Sequence, residues 1–563
     1  MKAAFLIMTS LAILGCANPR PVGETSAGQG ASQATTGPKR IVGITQGNPI
    51  GAYARLDPQI SERGKAEVAG LLNSSLNVFD SNGDLHPQLG EAVPTVENGL
   101  WRVLPDGRME TTWKIRGGVA WHDGTPFTTD DLVFTLSVLR DRELPIFRHR
   151  SFSFIEGVEA ADAQTITVRW NKPYIQADEL FSEDVAAPLP RHLLERSYAE
   201  DKTAFTQLPY WTTEYVGTGP YKVKEWERAS HILMQANDSY ALGRPKIDEI
   251  EVRMISDANA IVANLLAGTA DVLLGRSISV DHVVQLRERM PTLNIETPLT
   301  SLQVINSQFL DPSPAVVTEL NFRRAMIHAV DRQEMADTID YGLVPVAHHF
   351  IYPNLPEARA TESALVRYEY DPRRAAQLME GLGYVKGGDG FYRDAAGQQL
   401  RIEIRTTQSE INPKSMSAVA DYLQRLGIAI DPIIIPVQLV SDQRYRASFP
   451  GLIVNGGPAD ASNLEDFHSS QARVPETNFS GSNRARYVHP EMDTLVERYQ
   501  TTIAFEPRMD VARQIVRHTT EQLPVVPLFF DSWPSAAAAR LVNVGPSANG
   551  GRSTWNVHQW DVR

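Results

Sequence analysis

The sequence predicts a mixed α/β protein with two α/β lobes and a smaller, mostly antiparallel β lobe inserted between them. Two strand–helix–strand patterns stand far apart in the chain, one within residues 246–274 and the other within residues 400–437. Between residues 76 and 211 the pattern changes to short alternating strands separated by turns. Because each strand–helix–strand unit has to bury a sheet face, two distant units indicate two lobes.

The elements of the two units follow in order after a short predicted strand, RIVGI, at residues 40–44. The first unit reads KIDEIEVRMI as a strand, DANAIVANLLAG as a helix and ADVLL as a second strand. Asp257 is a favourable N-cap and Gly268 a favourable C-cap for that helix. The second unit consists of the strand LRIEIRT, a helix around SMSAVADYLQRLG and the strand IAIDPIIIPV.

The start of the chain predicts export and lipid attachment. Lys2 precedes an apolar run that is too short to span a bilayer but has the length of a signal-peptide core. The run ends ILGC, which resembles the lipobox of bacterial lipoproteins and implies a signal peptide over 1–16 with lipidation at Cys16. A plain secretory signal with an incidental cysteine is the alternative. Residues 17–39 lack aromatic side chains, and we expect a flexible tether there.

The composition excludes several classes of protein. Cys16 is the single cysteine, which rules out internal disulfides and thiolate zinc sites and fits an oxidising compartment. The net charge is −13 and no run of five basic residues occurs, so we expect no nucleic-acid partner. After the first residues no apolar run is long enough to cross a membrane.

The stretch TTWKIRGGVAWHDGTPFTTDDLVFTL, residues 111–136, contains a candidate acid–base or metal pair, His122 and Asp123. Local geometry accounts for the stretch: a strand, the turn HDGTP, and a helix with Thr128 as N-cap and Asp131 completing a capping box. Neighbouring side chains in an extended segment point to opposite faces, so the pair cannot chelate one ion there. We predict a structural role for it.

The same stretch resembles the signature of the extracytoplasmic solute-binding proteins of family 5, the dipeptide, oligopeptide and nickel binders of ABC importers. The resemblance extends in order over residues 41–560. Its further segments are VGTGPYKVKEW, NDSYALGRPKIDEIEVRMI, LLAGTADV, NFRRAMIHAVDRQEM, YDPRRAAQLMEGLGY, LQRLGI, NFSGSN and HPEMDTLV.

The resemblance implies a class II periplasmic-binding-protein-like fold of two α/β lobes joined by a hinge. It assigns residues 40–75, 212–303 and 522–563 to lobe I, residues 76–211 to the inserted lobe II, and residues 304–521 to lobe III. A solute in the cleft between lobes I and III would shift the hinge towards the closed state. The implied protein is a monomeric binder without enzyme activity, cofactor or metal. It lies outside the cytoplasm, on the periplasmic or cell-surface side, held to the membrane through Cys16, and delivers its solute to an ABC permease.

The resemblance also implies two main-chain clamps for the ligand. One lies after residue 60 and the other in NGGPAD, and the residues expected to bind are Ser61, Glu62, Arg63, Gly64, Asn455, Gly456, Gly457, Ala459 and Asp460. Peptide binders place at the position of Asp460 the carboxylate that pairs with the ligand's terminal ammonium. Neither charge tolerates desolvation alone, which makes the pairing physically sound. A turn or cap role for Asp460 is the alternative.

Three positions depart from the peptide-binding pattern. Gly457 and Pro458 replace the usual tryptophan and small residue, and Pro458 removes a backbone donor. Ser409 replaces the arginine with which dipeptide binders take the ligand carboxylate. A dipeptide-sized pocket is therefore not expected, while a longer peptide and a non-peptide solute such as an oligosaccharide both stay open.

Other patterns leave weaker hypotheses. GTGPYK, residues 217–222, leads into a strand and lacks the Lys-Ser/Thr of a phosphate loop, so we predict a turn that needs the glycines' backbone freedom. His348 and His349 leave a metal site, a cleft lining and plain surface open. An extracytoplasmic hydrolase, or a sensor or chaperone on the same fold, is the alternative of another class, although no Gly-x-Ser-x-Gly elbow occurs.

Overall fold

The computed structural model describes residues 37–49, 51–53, 64–144, 146, 148–545 and 552–563. All elements given below lie in the compact unit Lys39–Arg563. Cys16, most of the expected tether and the three clamp residues Ser61, Glu62 and Arg63 lie outside the described residues. The predictions made for them stay predictions.

A seven-stranded mixed sheet contains the first predicted strand–helix–strand unit. Its strands, in spatial order, are Asn294–Glu296, Ser535–Ala537, Val272–Leu273, Arg40–Thr45, Glu249–Met254, His231–Ala236 and Tyr221–Glu227. Arg40–Thr45 is parallel to both of its neighbours, and the remaining pairs are antiparallel. The helix Ala258–Leu266 connects the two strands of the unit, and the Asp257 carboxylate caps it by accepting from the Ala260 N–H at 2.7 Å.

A five-stranded mixed sheet contains the second unit. Its strands, in spatial order, are Ala429–Ile435, Arg401–Thr407, Leu452–Gly457, Leu299–Ser307 and Val525–Ser532. The first three are parallel to one another and the last two pair antiparallel. The helix Asn412–Leu426 joins the two strands of the unit and ends at Gly427, whose φ of 109° a side chain would disfavour. The two lobes of the predicted α/β fold are thereby confirmed.

The last strand of the five-stranded sheet, Val525–Ser532, comes from a part of the chain far from the second unit. Val525–Ser532 falls in the range assigned to lobe I, but it is hydrogen-bonded to Leu299–Ser307 in the five-stranded sheet. The sequence of a buried strand shows that it is apolar and not which sheet it joins. The lobe boundaries themselves stay predictions.

Residues 76–211 contain the expected antiparallel strands. A four-stranded sheet runs, in spatial order, through Trp101–Val103, Met109–Lys114, Thr165–Trp170 and Ile155–Ala160. The helix Thr129–Arg140 begins as predicted, with the Asp131 carboxylate accepting from the Thr128 N–H at 3.0 Å. The side chains of Trp113 and Trp170 are fully buried in this part of the chain.

The remaining elements are short strand pairs and helices. The pairs are Asn77–Phe79 with Leu85–Pro87, Val385–Lys386 with Tyr392–Arg393, and Leu541–Val542 with Asp561–Val562. The helices are Lys65–Leu72, Glu183–Ala186, Arg191–Glu200, Lys202–Phe205, Val280–Arg289, Leu320–Ala329, Arg332–Ile339, Pro356–Thr361, Pro372–Gly381, Gln443–Ala447, Pro490–Thr501 and Phe505–Gln522. None of the described helices combines the length and apolar character needed to cross a bilayer.

The apolar core is divided rather than continuous. One cluster joins the four-stranded sheet to part of the seven-stranded sheet, and a smaller one fills the other face of the seven-stranded sheet. Of two further clusters, one includes Ile305 and the other Leu302. These two residues of one strand point to opposite faces of the five-stranded sheet. Each α/β sheet therefore has its own core, as separate lobes require.

The glycines of the turn at residues 217–222 were expected to provide backbone freedom, but the structure shows a different reason for them. Neither Gly217 nor Gly219 has a positive φ. A Cβ on Gly217 would lie 2.1 Å from the Leu72 carbonyl oxygen, and one on Gly219 would lie 2.3 Å from the Leu72 carbonyl carbon. The glycines are therefore needed because the backbone of residue 72 passes so close, and not for their conformational freedom.

Candidate ligand-binding site

The second predicted clamp lies at the end of a central strand. Leu452–Gly457 pairs with Leu299–Ser307 as far as Gly457, which is opposite Leu302. On its other side it pairs with Arg401–Thr407 only as far as Ile453. The last residues of the strand, from Asn455 onwards, therefore pair with no strand on that side within the described chain.

A cavity of about 770 Å³ adjoins this strand end. Gly457 and Pro458 of the predicted clamp contribute to its wall. Most of the remaining wall comes from residues 148–150, from the strand Leu299–Ser307 and from residues 463–487, and single residues of other segments, Arg446 among them, complete it. A smaller cavity of about 60 Å³ lies beside it and includes Asn455 and Gly456. Four residues of the predicted NGGPAD clamp thus line cavities, and the larger cavity has a volume that suits a small solute.

The cavity wall is rich in arginine. Arg446, Arg473 and Arg484 line both cavities, and Arg148 and Arg150 line the larger one. No pattern in the sequence indicates these arginines. They are scattered over the chain without a motif spacing, so only the fold brings them together.

Asp460 has the cap role that the sequence left open. It precedes the short helix Ala461–Phe467, and its carboxylate accepts from the Ser462 N–H at 2.9 Å and from the Ser462 hydroxyl. The Asp460 N–H in turn donates to Asn463 Oδ1 at 3.2 Å. Burial raises the pKa of Asp460. A role in binding an ammonium group stays a prediction.

Further carboxylates gather around Asp460 from two parts of the chain. Burial raises the pKa of Asp178 to about 7 and that of Glu465 to about 8. Burial and the charges of Asp178 and Asp460 raise the pKa of Glu179 well above its usual range. Glu465 forms an ion pair with Arg150. A cation placed among these groups would relieve their mutual repulsion.

Gly64 is the one residue of the first clamp that the structure describes. It precedes the helix Lys65–Leu72 with a φ of 78°. A Cβ at this position would lie 1.7 Å from Thr45 Oγ1, at the end of the strand Arg40–Thr45. Its place in the fold therefore requires glycine, and its part in ligand binding stays a prediction.

His348 and His349 are not among the residues that line the two cavities beside the strand end. His349 is buried and its Nδ1 accepts from the Ile351 N–H at 3.0 Å. Burial lowers the pKa of each imidazole to about 4, so both are neutral at pH 7. These contacts favour a structural role for His349 over a cleft lining.

Within the described residues, one group brings together three side chains of the kind that hold metal ions. His489, Glu491 and His518 place ligand atoms within 4.8 Å of one another. Ring packing accounts for the two imidazoles: Tyr487 stacks on His489 with ring centroids 5.6 Å apart, and its hydroxyl lies 3.0 Å from His518 Nε2. The pair His348 and His349 does not belong to this group.

Comparison with known proteins identifies the family to which the chain belongs. The family model for bacterial extracellular solute-binding proteins, family 5, matches residues 91–473, which is more than half of the chain. The chain belongs to this family. The resemblance inferred from the sequence is confirmed, and the protein is a solute-binding protein of the kind that serves ABC importers.

Individual family 5 relatives agree over nearly the whole chain. The oligopeptide-binding protein AppA of Bacillus subtilis is 23% identical over 572 residues, covering 99% of this chain and 98% of AppA. The oligopeptide-binding protein of Thermus thermophilus, solved with a pentapeptide, superposes with a TM-score of 0.75 at 22% identity, covering 92% of this chain and 96% of that one. NikZ of Campylobacter jejuni, solved with Ni(L-His), gives a TM-score of 0.74 at 22% identity, covering 92% and 99%.

Proposed function

We propose that this family 5 protein captures a peptide longer than a dipeptide and delivers it to the permease of an ABC importer. The observation that carries the proposal is the end of the strand Leu452–Gly457, where Asn455 to Gly457 have a strand on one side only. An extended peptide can add a strand at such an edge, because its main-chain groups then find hydrogen-bonding partners. The cavity beside Gly457 leaves room for its side chains.

The charge around Asp460 supports a ligand with a free amino terminus. The charges of Asp178 and Asp460 raise the pKa of Glu179. The charge of Asp460 also contributes to the raised pKa of Glu465. A terminal ammonium offers both a positive charge and three N–H donors to such a group. The oligopeptide-binding relatives support the same ligand class.

The decisive experiment separates the ligand role of Asp460 from its cap role. Asp460→Asn keeps a side-chain oxygen that can accept from the Ser462 N–H but removes the charge. We expect a small change in melting temperature and a loss of affinity of about tenfold or more for tetrapeptides, since a charge-assisted hydrogen bond contributes about 1.5–3 kcal/mol. Calorimetry with a free and an N-acetylated tetrapeptide measures both effects.

The matched control is Asp257→Asn, which makes the same change at the N-cap of Ala258–Leu266. It should leave peptide affinity unchanged. Equal binding of free and acetylated peptides by the unaltered protein would contradict the role of Asp460. Tight binding of an oligosaccharide panel, with no peptide bound, would replace the peptide by the alternative solute.

Two further parts of the proposal are tested separately. A lipid-labelling assay should mark the full chain and not its Cys16→Ala variant. Small-angle scattering should show a smaller radius of gyration when peptide is bound, because the proposed hinge closes on it. Turnover of the bound peptide would favour the hydrolase alternative.

A further inference from the structure

The cavity beside Gly457 carries a net positive charge. Its wall contains five arginines, Arg148, Arg150, Arg446, Arg473 and Arg484, but only two carboxylates, Glu465 and Asp466. Glu465 is already engaged by Arg150. For Arg446, Arg473 and Arg484 the described residues provide no carboxylate within ion-pair distance.

These three guanidinium groups are held by carbonyl oxygens instead. Arg473 Nε donates to the Gly481 carbonyl at 2.8 Å and Arg484 Nη1 to the Gly456 carbonyl at 3.2 Å. Arg446 Nη1 lies 3.4 Å from the Val440 carbonyl, which makes its contact the weakest of the three. A carbonyl fixes the direction of a guanidinium group but does not neutralise its charge. Each guanidinium also keeps further N–H donors for a ligand.

Burial makes this arrangement unfavourable without an anion. The Arg473 side chain is almost fully enclosed, with 9% of the residue exposed. Burial lowers its pKa to about 9, and the charges of Arg484 and Arg446 contribute to the decrease. Burial and the charge of Arg446 likewise lower the pKa of Arg484, while the charge of Asp466 acts in the opposite direction on the pKa of both Arg473 and Arg484. Like charges brought together away from water cost free energy, which an anion bound among them would recover.

The position of the cluster relates it to the proposed peptide site. Arg446, Arg473 and Arg484 line the small cavity together with Asn455 and Gly456, the backbone segment along which the peptide would lie. A side chain that points from a peptide at that edge would enter the group of guanidiniums. Arginine binds carboxylates and phosphates through two parallel hydrogen bonds, so three arginines can accommodate more than one anionic group.

We propose that this pocket selects solutes with two or more negative charges and that, within the peptide class proposed above, it selects peptides with acidic side chains next to the amino-terminal residue. The preference for acidic peptides rests on the proposed function, whereas the preference for anionic solutes does not. Clustered carboxylates and a phosphoryl group share the required chemistry, and the experiment distinguishes them.

The test uses calorimetry of the purified full chain with matched tetrapeptides. Ala-Glu-Glu-Ala should bind about tenfold or more tightly than its uncharged counterpart Ala-Gln-Gln-Ala, and Ala-Lys-Lys-Ala should bind least. The advantage of the acidic peptide should decrease with added salt. A phosphoserine peptide and citrate form two additional arms, which report on a phosphoryl group and on a compact tricarboxylate.

Variants assign the effect to the cluster. Arg484→Gln and Arg446→Gln should each reduce the affinity for Ala-Glu-Glu-Ala about tenfold, and Arg446→Gln, which does not touch the proposed peptide edge, should leave that for Ala-Gln-Gln-Ala unchanged. Arg446 is included because its single weak contact makes its replacement the least disruptive to folding. Arg401→Gln is the control, since it removes a guanidinium that is paired with Asp431 at 2.6 Å on the exposed surface.

The outcomes separate this inference from the proposed function. Equal affinity for the Glu and Gln peptides would overturn the inference and leave the peptide function intact. Binding of citrate that depends on Arg484, with no peptide bound, would support the anion pocket and overturn the peptide function. Stronger binding of the phosphoserine peptide than of the Glu peptide would support the pocket and identify phosphoryl as its preferred group.

Discussion

His122 accepts a hydrogen bond from the backbone N–H of Gly217 through Nδ1, at 3.1 Å. Its other ring nitrogen, Nε2, lies 3.0 Å from the Gly219 carbonyl and must carry the proton. The His122 carbonyl additionally accepts from Lys222 Nζ at 2.7 Å. One imidazole thus joins the stretch 111–136 to the turn before the strand Tyr221–Glu227, and the structure gives His122 a role in holding the fold.

Replacing His122 should lower stability without affecting ligand binding. His122→Ala leaves the buried Gly217 N–H without the acceptor that His122 supplies, which costs about 1–3 kcal/mol, whereas the Gly219 carbonyl still accepts from Asn237 Nδ2 at 3.1 Å. We expect a decrease in the free energy of unfolding of roughly 1–3 kcal/mol in urea titrations and an unchanged peptide affinity. The neighbouring Asp123→Asn alters a partly exposed contact with His192 and should change stability by less than about 1 kcal/mol. A large loss of affinity in His122→Ala would contradict the structural role.

The same histidine should make stability sensitive to acid. Burial lowers the pKa of His122 to about 4, well below that of an imidazole in the unfolded chain. The unfolded chain therefore takes up a proton first as the pH falls, so stability is lost between about pH 6.5 and pH 4. We expect the stability advantage of the unaltered protein over His122→Gln to decrease by about 2–4 kcal/mol over this range. Urea titrations of both proteins at several pH values test this, because the contributions of His348 and His349 are common to both.

Side chains added to the turn at Gly217 should be poorly tolerated. Gly217→Ala and Gly219→Ala both place a Cβ against the backbone of Leu72, which a small side-chain movement cannot relieve. We expect each to lower the free energy of unfolding by more than about 2 kcal/mol. Gly381→Ala is the control, since nothing lies within 4 Å of the new atom at the end of the helix Pro372–Gly381. Its stability should stay the same or rise slightly.

The parts of the structure that follow from local chemistry could be predicted from the sequence. Asp257 caps its helix as expected, and Asp131 completes the capping box of Thr128 at the start of the helix Thr129–Arg140. Properties set by distant contacts could not be predicted. The sheet joined by Val525–Ser532 depends on which strand edges are free after the rest has folded.

The candidate site was predictable to the same extent. The segment Asn455–Gly457 was proposed from its resemblance to a clamp of the family, and the structure adds that it lines cavities; its part in ligand binding stays a prediction. The arginines around it carry no such signal, since Arg446, Arg473 and Arg484 meet only through the tertiary fold. The same holds for Gly217 and Gly219, where a side chain is excluded because the backbone of Leu72 lies so close.

A buried ion pair should be needed to hold the C-terminal segment in place. Arg552 is paired with Glu183, and both side chains are about 90% buried, while Asp184 lies 2.7 Å from Arg552 Nη2. Arg552→Met leaves Glu183 and the nearby Glu67 buried without a cation, which should cost about 3–5 kcal/mol. Arg552→Met combined with Glu183→Leu should recover much of that loss, because no uncompensated charge remains at residue 183. A double variant no more stable than the single one, in urea titrations, would contradict this explanation.

Two buried carboxylates, those of Asp340 and Asp531, should favour stability at low rather than high pH. Asp340, which ends the helix Arg332–Ile339, is 3% exposed, and Oδ2 of both Asp340 and Asp531 has no hydrogen-bonding partner among the described residues. Burial, with the charge of Asp531, raises the pKa of Asp340 to about 8, although Lys414 and Arg276 act in the opposite direction. Burial raises the pKa of Asp531 to about 6.

A raised pKa means that the folded state holds a proton that the unfolded chain has released. Stability contributed by Asp340 is therefore present below about pH 4 and is lost progressively as the pH rises to about 8. Asp340→Asn removes the titrating group, so we expect the variant to gain about 2 kcal/mol or more on the unaltered protein between about pH 5 and pH 8. Asp337→Asn, on the exposed side of the same helix, should show no such gain. Parallel stability curves for Asp340→Asn and the unaltered protein over this range would show that Asp340 does not hold a proton in the folded state.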